Sequence, residues 1–284
     1  MNIFRPFISG ICRALRSWKW IVIIWLFTLI LVSLLVIPFK ASLSAALGRS
    51  MITEKLADGI NIDVISDLGS NFKAIFSSLS TGIFLMLFFG FLINVFLNGG
   101  LFSSLKTAVS RFTSNQFFGR AGESFWSFLV ITIIMSLIIF LIALLIIGIP
   151  LAIAGGSQRE GSLYKTFILT VIIFLIILPV FLLVADYARA WQAANSKPAC
   201  FKAIGAGFKQ TFRHFFSSYP VMAVVLIAQF FFGWLVFLII SRMMPATGAG
   251  LFLLFLLTQL FFIIKLLLRT WRYGCVTAML EQYP

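Results

Sequence analysis

The stretch Val184–Phe216, VADYARAWQAANSKPACFKAIGAGFKQTFRHFF, joins the end of an apolar run to a polar break and then to a basic amphipathic segment. Val184-Ala185 closes the apolar run. Asp186, Tyr187 and Arg189 then supply charges and a phenol, as expected where a helix leaves hydrocarbon for lipid head groups. Asn195-Ser196 followed by Pro198 predicts a new helix start, because short polar side chains take up orphan N–H groups and proline is tolerated in a first turn. Beyond it Phe201, Ile204, Phe208, Phe212 and Phe215 recur every three or four residues, with Lys202, Lys209 and Arg213 on the opposite side. A helix of that kind is suited to lie in the plane of an anionic membrane surface. Phe201, Lys202, Phe208, Lys209, Phe212 and Arg213 are therefore the candidate lipid-surface residues.

Composition sets the class around this stretch. Hydrophobic residues make up 61% of the 284 and charged residues 11%, with 34 Phe, which leaves too little polar surface to cover a soluble core. The chain reads as an all-α, polytopic membrane helical bundle. Its formal net charge of +14 does not point to nucleic acid, since the bases flank apolar runs and act there as topology and lipid signals.

Six spans are expected, at about 20–38, 81–97, 128–149, 164–184, 220–240 and 251–268. The opening residues to Lys19 alternate Arg5, Arg13 and Arg16 with Phe4, Phe7, Ile11 and Leu15, and read as a retained amphipathic helix rather than a cleaved signal. Residues 40–73 form the longest polar connection and carry Glu54, Asp58, Asp63 and Asp67, a solvated cap or a docking or gating element. Ser114-Asn115 begins a second amphipathic lead-in, QFFGRAGESFWSF, to the third span. Gly148-Ile149-Pro150 is expected to end that span, and Pro179 to kink the fourth or free a carbonyl.

Polar side chains inside the spans are the other candidates. Asn94 and Asn98 lie one turn apart and are expected to face the bundle together, bonding between helices or lining a polar path. Gln229, Thr258 and Gln259 fall near mid-membrane and are expected to bond one another. Lys265 is the most deeply placed charge, and either snorkels to the inner surface or pairs with Asp186.

The positive-inside rule places both termini in the cytoplasm, because most Lys and Arg then fall on inner segments. Cys12, Cys200 and Cys275 fall there too, where thiols stay reduced. In this frame the chain divides into three pseudo-repeat units, about 1–113, 114–194 and 195–284. Each would be a helical hairpin with a cytoplasmic amphipathic lead-in helix.

Asn98-Gly99-Gly100, Asp186–Ala190 (DYARA) and the Phe-rich basic helix after it resemble an uncharacterised group of bacterial six-span integral membrane proteins. More distantly, the layout is similar to membrane domains attached to glycerophosphodiester phosphodiesterases. The resemblance implies a bacterial inner-membrane location. It transfers no activity, as the phosphodiesterase catalytic domain is absent from these residues.

Catalysis finds no constellation here. A single His214 cannot build a histidine metal cluster, and no metal, phosphate-loop or nucleophile-elbow spacing occurs. Neither catalytic residues nor a cofactor is expected. Two classes remain: a non-catalytic, lipid-interacting scaffold or accessory subunit, with anionic lipid of the cytoplasmic leaflet and a membrane protein as partners, or a permease for a small or amphipathic solute. In the second, Asn94, Asn98, Asp186, Gln229, Gln259 and Lys265 would line the path. The near absence of intramembrane acids favours the first.

Overall fold

The computed structural model describes residues 4–47, 69–106, 113–155, 160–195, 199–243 and 247–282. All its regular elements are helices: α1 Phe4–Arg16, α2 Trp18–Leu47, α3 Gly69–Ser104, α4 Ser114–Ala143, α5 Ile149–Gly155, α6 Glu160–Ala194, α7 Cys200–Arg213, α8 Phe215–Ser241 and α9 Gly248–Gln282. Among the described residues, five stretches are long and apolar enough to cross a membrane: 80–104, 114–155, 163–194, 215–241 and 248–282. Arg5–Arg16 and Trp18–Leu34, bent by 61° at their junction, make a sixth if taken as one span. The chain is a multi-pass membrane protein. Most of the 40–73 connection, including Glu54, Asp58, Asp63 and Asp67, lies outside the described residues.

Several helices run further than hydropathy indicates. The lead-in at Ser114 is not a separate helix: a capping box between Thr113 and Gln116 starts α4, which continues straight into the apolar run. Nor does Pro150 end that run. The backbone passes through a π-turn at Leu144–Gly148 and resumes as α5, with the Ile149 N–H bonded to the Leu144 carbonyl. In the same way α6 continues past Val184 to Ala194. Asn195 therefore closes a helix where a start was expected, its amide bonding the Trp191 carbonyl at 2.9 Å, and Ser196–Pro198 lie outside the described residues. Pro179 stays inside α6. The Tyr219 hydroxyl donates to the Ile176 carbonyl at 3.0 Å, beside the carbonyl that the proline ring leaves without its N–H.

Residues 23–94 form one compact unit, and residues 1–22 with 95–284 another. Within the first, Leu31 of α2 packs over Gly90 of α3, 3.6 Å from where a Cβ would stand. Phe84, Leu87 and Phe88 are exposed along α3, as apolar side chains facing hydrocarbon would be.

The larger unit is assembled through small residues. α1 crosses α9 at Gly10 and Gly274: a Cβ on Gly10 would stand 2.8 Å from the Cys275 nitrogen, and one on Gly274 would stand 2.7 Å from the Gly10 carbonyl oxygen. Trp271 fixes the crossing, its ring 4.7 Å from Phe7 and its indole N–H donating to the Phe7 carbonyl at 3.3 Å. α7 lies on α6 through its buried face of Ala203, Gly207 and Thr211, and a Cβ on Gly207 would come to 2.5 Å from the Val184 carbonyl oxygen. The first turns of α4 meet the end of α3, where Phe117 covers Gly100 and Ala121 and Ser124 cover Gly99. Phe117 in turn stacks on Trp20 at 4.4 Å. Without a hydrophobic drive between helices in lipid, such close backbone approach is what holds them.

Candidate functional site

α7 is the first of two candidate surfaces. At about 100° per residue, its small docked face leaves Phe201, Phe208 and Phe212 along one flank, with Lys202, Lys209 and Arg213 next around the helix. Phe201 is 75% exposed and Phe212 62%, and all three basic residues are exposed. Phe208 differs from expectation: it is half-buried against the Val184, Ala188 and Ala203 cluster while its ring stacks on Phe212. The buried face of α7 is thus its small residues, with the Phe row beside that face rather than opposite the bases.

The second is a buried ion cluster between α6 and α9. Asp186, expected where the helix leaves hydrocarbon for the head groups, sits wholly buried between helices. One carboxylate oxygen accepts from Arg189 Nη1 at 3.1 Å, and the other lies 2.9 Å from Arg272 Nε. Arg189 Nη2 continues to the Thr132 hydroxyl on α4 at 3.3 Å. On α9, Arg269 Nε donates to the Tyr273 hydroxyl at 2.7 Å and its Nη2 to Asn98 Oδ1 on α3 at 3.2 Å. The guanidiniums of Arg269 and Arg272 stand 5.4 and 5.1 Å from the Tyr273 ring centre, within cation–π range. Arg189, Arg272, Arg269, Tyr273 and Thr132 were not candidates in the sequence. The available signal was spacing: Asp186 with Arg189, and Arg269 with Arg272 and Tyr273, are one-turn neighbours on helices that outrun their hydropathy.

These polar residues share a register. Asn98 precedes Gly100 by two residues, Asp186 precedes Ala188 by two, and Arg272 precedes Gly274 by two. Each of those small residues receives another helix: Gly100 receives Phe117 of α4, Ala188 receives Gly207 of α7, and Gly274 receives Gly10 of α1.

The remaining candidates do not gather with them. Asn94 is exposed while Asn98 is buried, so the two do not share an inward face. Gln229 donates to the Leu268 carbonyl on α9 at 3.0 Å, and the Thr258 hydroxyl bonds its own helix at Phe255, in place of the mutual bonding expected of them. Gln259 is half-buried. Lys265 is exposed, and Asp186 takes arginines instead of it.

A further belt ties helix ends together. Arg13 of α1 donates to the Leu105 carbonyl just past α3 at 3.1 Å and pairs with Glu281 of α9 at 2.8 Å. Lys106 Nζ donates to the Ala193 carbonyl near the end of α6. Cations at helix C-termini satisfy orphan carbonyls and suit the helix dipole. Burial, then the nearby Arg120 charge, holds the Lys106 ammonium below the ordinary lysine range.

No protein-family model, curated protein or solved structure matches this chain.

Proposed function

We propose that the protein is a non-catalytic, lipid-interacting scaffold or accessory subunit of a bacterial inner-membrane assembly, with both termini cytoplasmic. One observation carries this reading: α7 is fixed to α6 by its small face, which leaves Phe201 and Phe212 exposed beside Lys202, Lys209 and Arg213. Apolar side chains flanked by bases partition together into an anionic interface, the rings entering the acyl boundary while the bases meet phosphates. The reading takes the chain as six spans in three hairpins, units of about 1–113, 114–194 and 195–284. The two-residue register of Asn98, Asp186 and Arg272 before a docking site supports that division. α1 follows the same plan as α7, with Gly10 and Ala14 buried and Ile8 and Leu15 exposed. A solute path through Asn94, Asn98, Asp186, Gln229, Gln259 and Lys265 has less support, since Gln229 is engaged by a backbone carbonyl and Lys265 is exposed.

The test uses the full chain in bilayers, with Cys12 and Cys200 replaced by Ser and a spin label at Phe212→Cys. In anionic bilayers the label is expected to sit at the acyl boundary. Neutralising Lys202, Lys209 and Arg213 together to Gln should lift it towards water. A label that reads aqueous in the parent protein sinks the reading.

A further inference from the structure

We propose that α1 is a second membrane-contact helix, held in the bilayer interface chiefly by apolar side chains where α7 relies on bases. This rests on the reading of α7 as a membrane contact and deepens it, assigning the chain a second contact with a different lipid preference.

The two helices match position by position. Phe4-Arg5 aligns with Phe201-Lys202, Pro6 with Ala203, Gly10 with Gly207, Ile11 with Phe208, Ala14 with Thr211 and Leu15-Arg16 with Phe212-Arg213. The docked positions share an environment. Pro6, Gly10 and Ala14 are buried, as Ala203, Gly207 and Thr211 are, and Gly10 lies against the backbone of α9 at Cys275 as Gly207 lies against that of α6 at Val184. Arg13, on the docked flank, is committed to Glu281 of α9 and to the Leu105 carbonyl. What faces outward is a single surface, with Ile8 58% exposed and Leu15 54%, and with Arg5 and Arg16 exposed next to them around the helix. Just past the end of α1, Trp18 is 57% exposed and Lys19 is exposed beside it. An open indole next to a base is the chemistry of the head-group level.

Charge names the occupant of this surface. Neither α1 nor residues 17–20 contain an Asp or Glu, so the exposed charges of Arg5, Arg16 and Lys19 are of one sign and suit lipid phosphates. Ile8 and Leu15 beside them are covered if they enter the acyl boundary. Two aligned positions differ in kind: Gly205 and Lys209 of α7 are replaced in α1 by Ile8 and Cys12, and all four are exposed. At these positions α1 therefore gains a branched apolar side chain and gives up a base. Burial of apolar area at an interface does not depend on lipid charge, whereas the attraction of bases does. It follows that α1 stays in the interface of an uncharged bilayer from which α7 withdraws.

The experiment uses the full chain in bilayers, with Cys12 and Cys200 replaced by Ser and a spin label at Leu15→Cys or, separately, at Phe212→Cys. Cys275 is buried and stays in place. Depth is read from collisions of the label with oxygen against those with a water-soluble nickel complex. In mixed phosphatidylglycerol and phosphatidylcholine both labels are expected at the acyl boundary. In phosphatidylcholine alone the Leu15 label is expected to keep its depth while the Phe212 label shifts towards water. Ile8→Ser, which removes the apolar side chain that α7 lacks, should make the Leu15 label shift as well. An aqueous Leu15 label beside a Phe212 label at the acyl boundary overturns this inference alone, and an aqueous Phe212 label in the mixed bilayer overturns the α7 reading beneath it. A Leu15 label that shifts in phosphatidylcholine as far as the Phe212 label does shows α1 to be held by charge, and also overturns the inference. So does a Leu15 label shielded from both collision partners, which would mean that a second copy of the chain covers α1. If Leu15→Cys fails to fold, Cys12 itself, exposed on α1, takes the label in the Cys200→Ser protein, and an aqueous reading there counts against the inference in the same way.

Discussion

Isolated polar residues along the spans and the ion cluster at Asp186 meet the same difficulty in different ways. Gln229 and Thr258 each settle on one backbone carbonyl, and Lys265 stays exposed. Each could be removed with little disturbance to its neighbours. Around Asp186, by contrast, Arg189, Arg272, Tyr273, Arg269, Asn98 and Thr132 engage one another across α3, α4, α6 and α9, so that the placement of each group depends on the others. Single polar groups in lipid are matters of local solvation. A buried network of charges is a matter of assembly.

The largest expected effect is at the centre of the network. Asp186→Ala removes the one carboxylate shared by two buried guanidiniums and should destabilise the folded chain by about 3–5 kcal/mol, read as loss of monodisperse protein or a large fall in thermal stability. A melting temperature equal to the parent's would mean that the arginines are solvated rather than held by Asp186. Next come the helix crossings that carry the network. Gly207→Ala places a methyl 2.5 Å from the Val184 carbonyl oxygen, and a cost of about 1–3 kcal/mol is expected, with α7 released to protease before the spans. Unchanged protease resistance of α7 would show that the crossing can open without loss.

On the other side of the comparison the effects shrink. Gln229→Leu gives up one hydrogen bond to Leu268 and should cost about 0.6 kcal/mol, the average for such bonds in membranes; a value approaching that of Asp186→Ala would make Gln229 part of a network. The smallest effect concerns Lys106 and appears as a pH trend. Its charged form is less favourable in the folded chain than in the unfolded one, because burial lowers its pKa. That handicap is present at neutral pH and fades as pH rises through the lowered value towards the ordinary lysine range. Lys106→Gln should therefore remove a slight alkaline gain in stability that the parent shows. The same gain in both proteins would place its origin elsewhere.

How far each region could be read from sequence follows the same division. Hydropathy located the apolar runs, and the Phe and Lys/Arg spacing of α7 located Phe201, Phe212, Lys202, Lys209 and Arg213 on surfaces that the fold leaves exposed. Those signals are local, because periodicity and apolar length act within one helix. The boundaries at Val184 and Leu268 were set too early. Charge ended the hydropathy window at Asp186 and Arg269, whereas the backbone stays helical to Ala194 and Gln282, with Asp186 held by ion pairs to Arg189 and Arg272 and Arg269 by hydrogen bonds to Tyr273 and Asn98.

By itself, then, the sequence determined that this chain is helical and built for a membrane, and that α7 carries a row of rings and a row of bases, since both depend on composition and spacing along one helix. Only the tertiary structure decided that Asp186 is buried, that Arg272 on a distant helix is its partner, and that Gly10, Gly207 and Gly274 are places where helices touch. Those facts depend on which helix ends meet, and contacts between residues far apart in the chain leave no period in the sequence to be read.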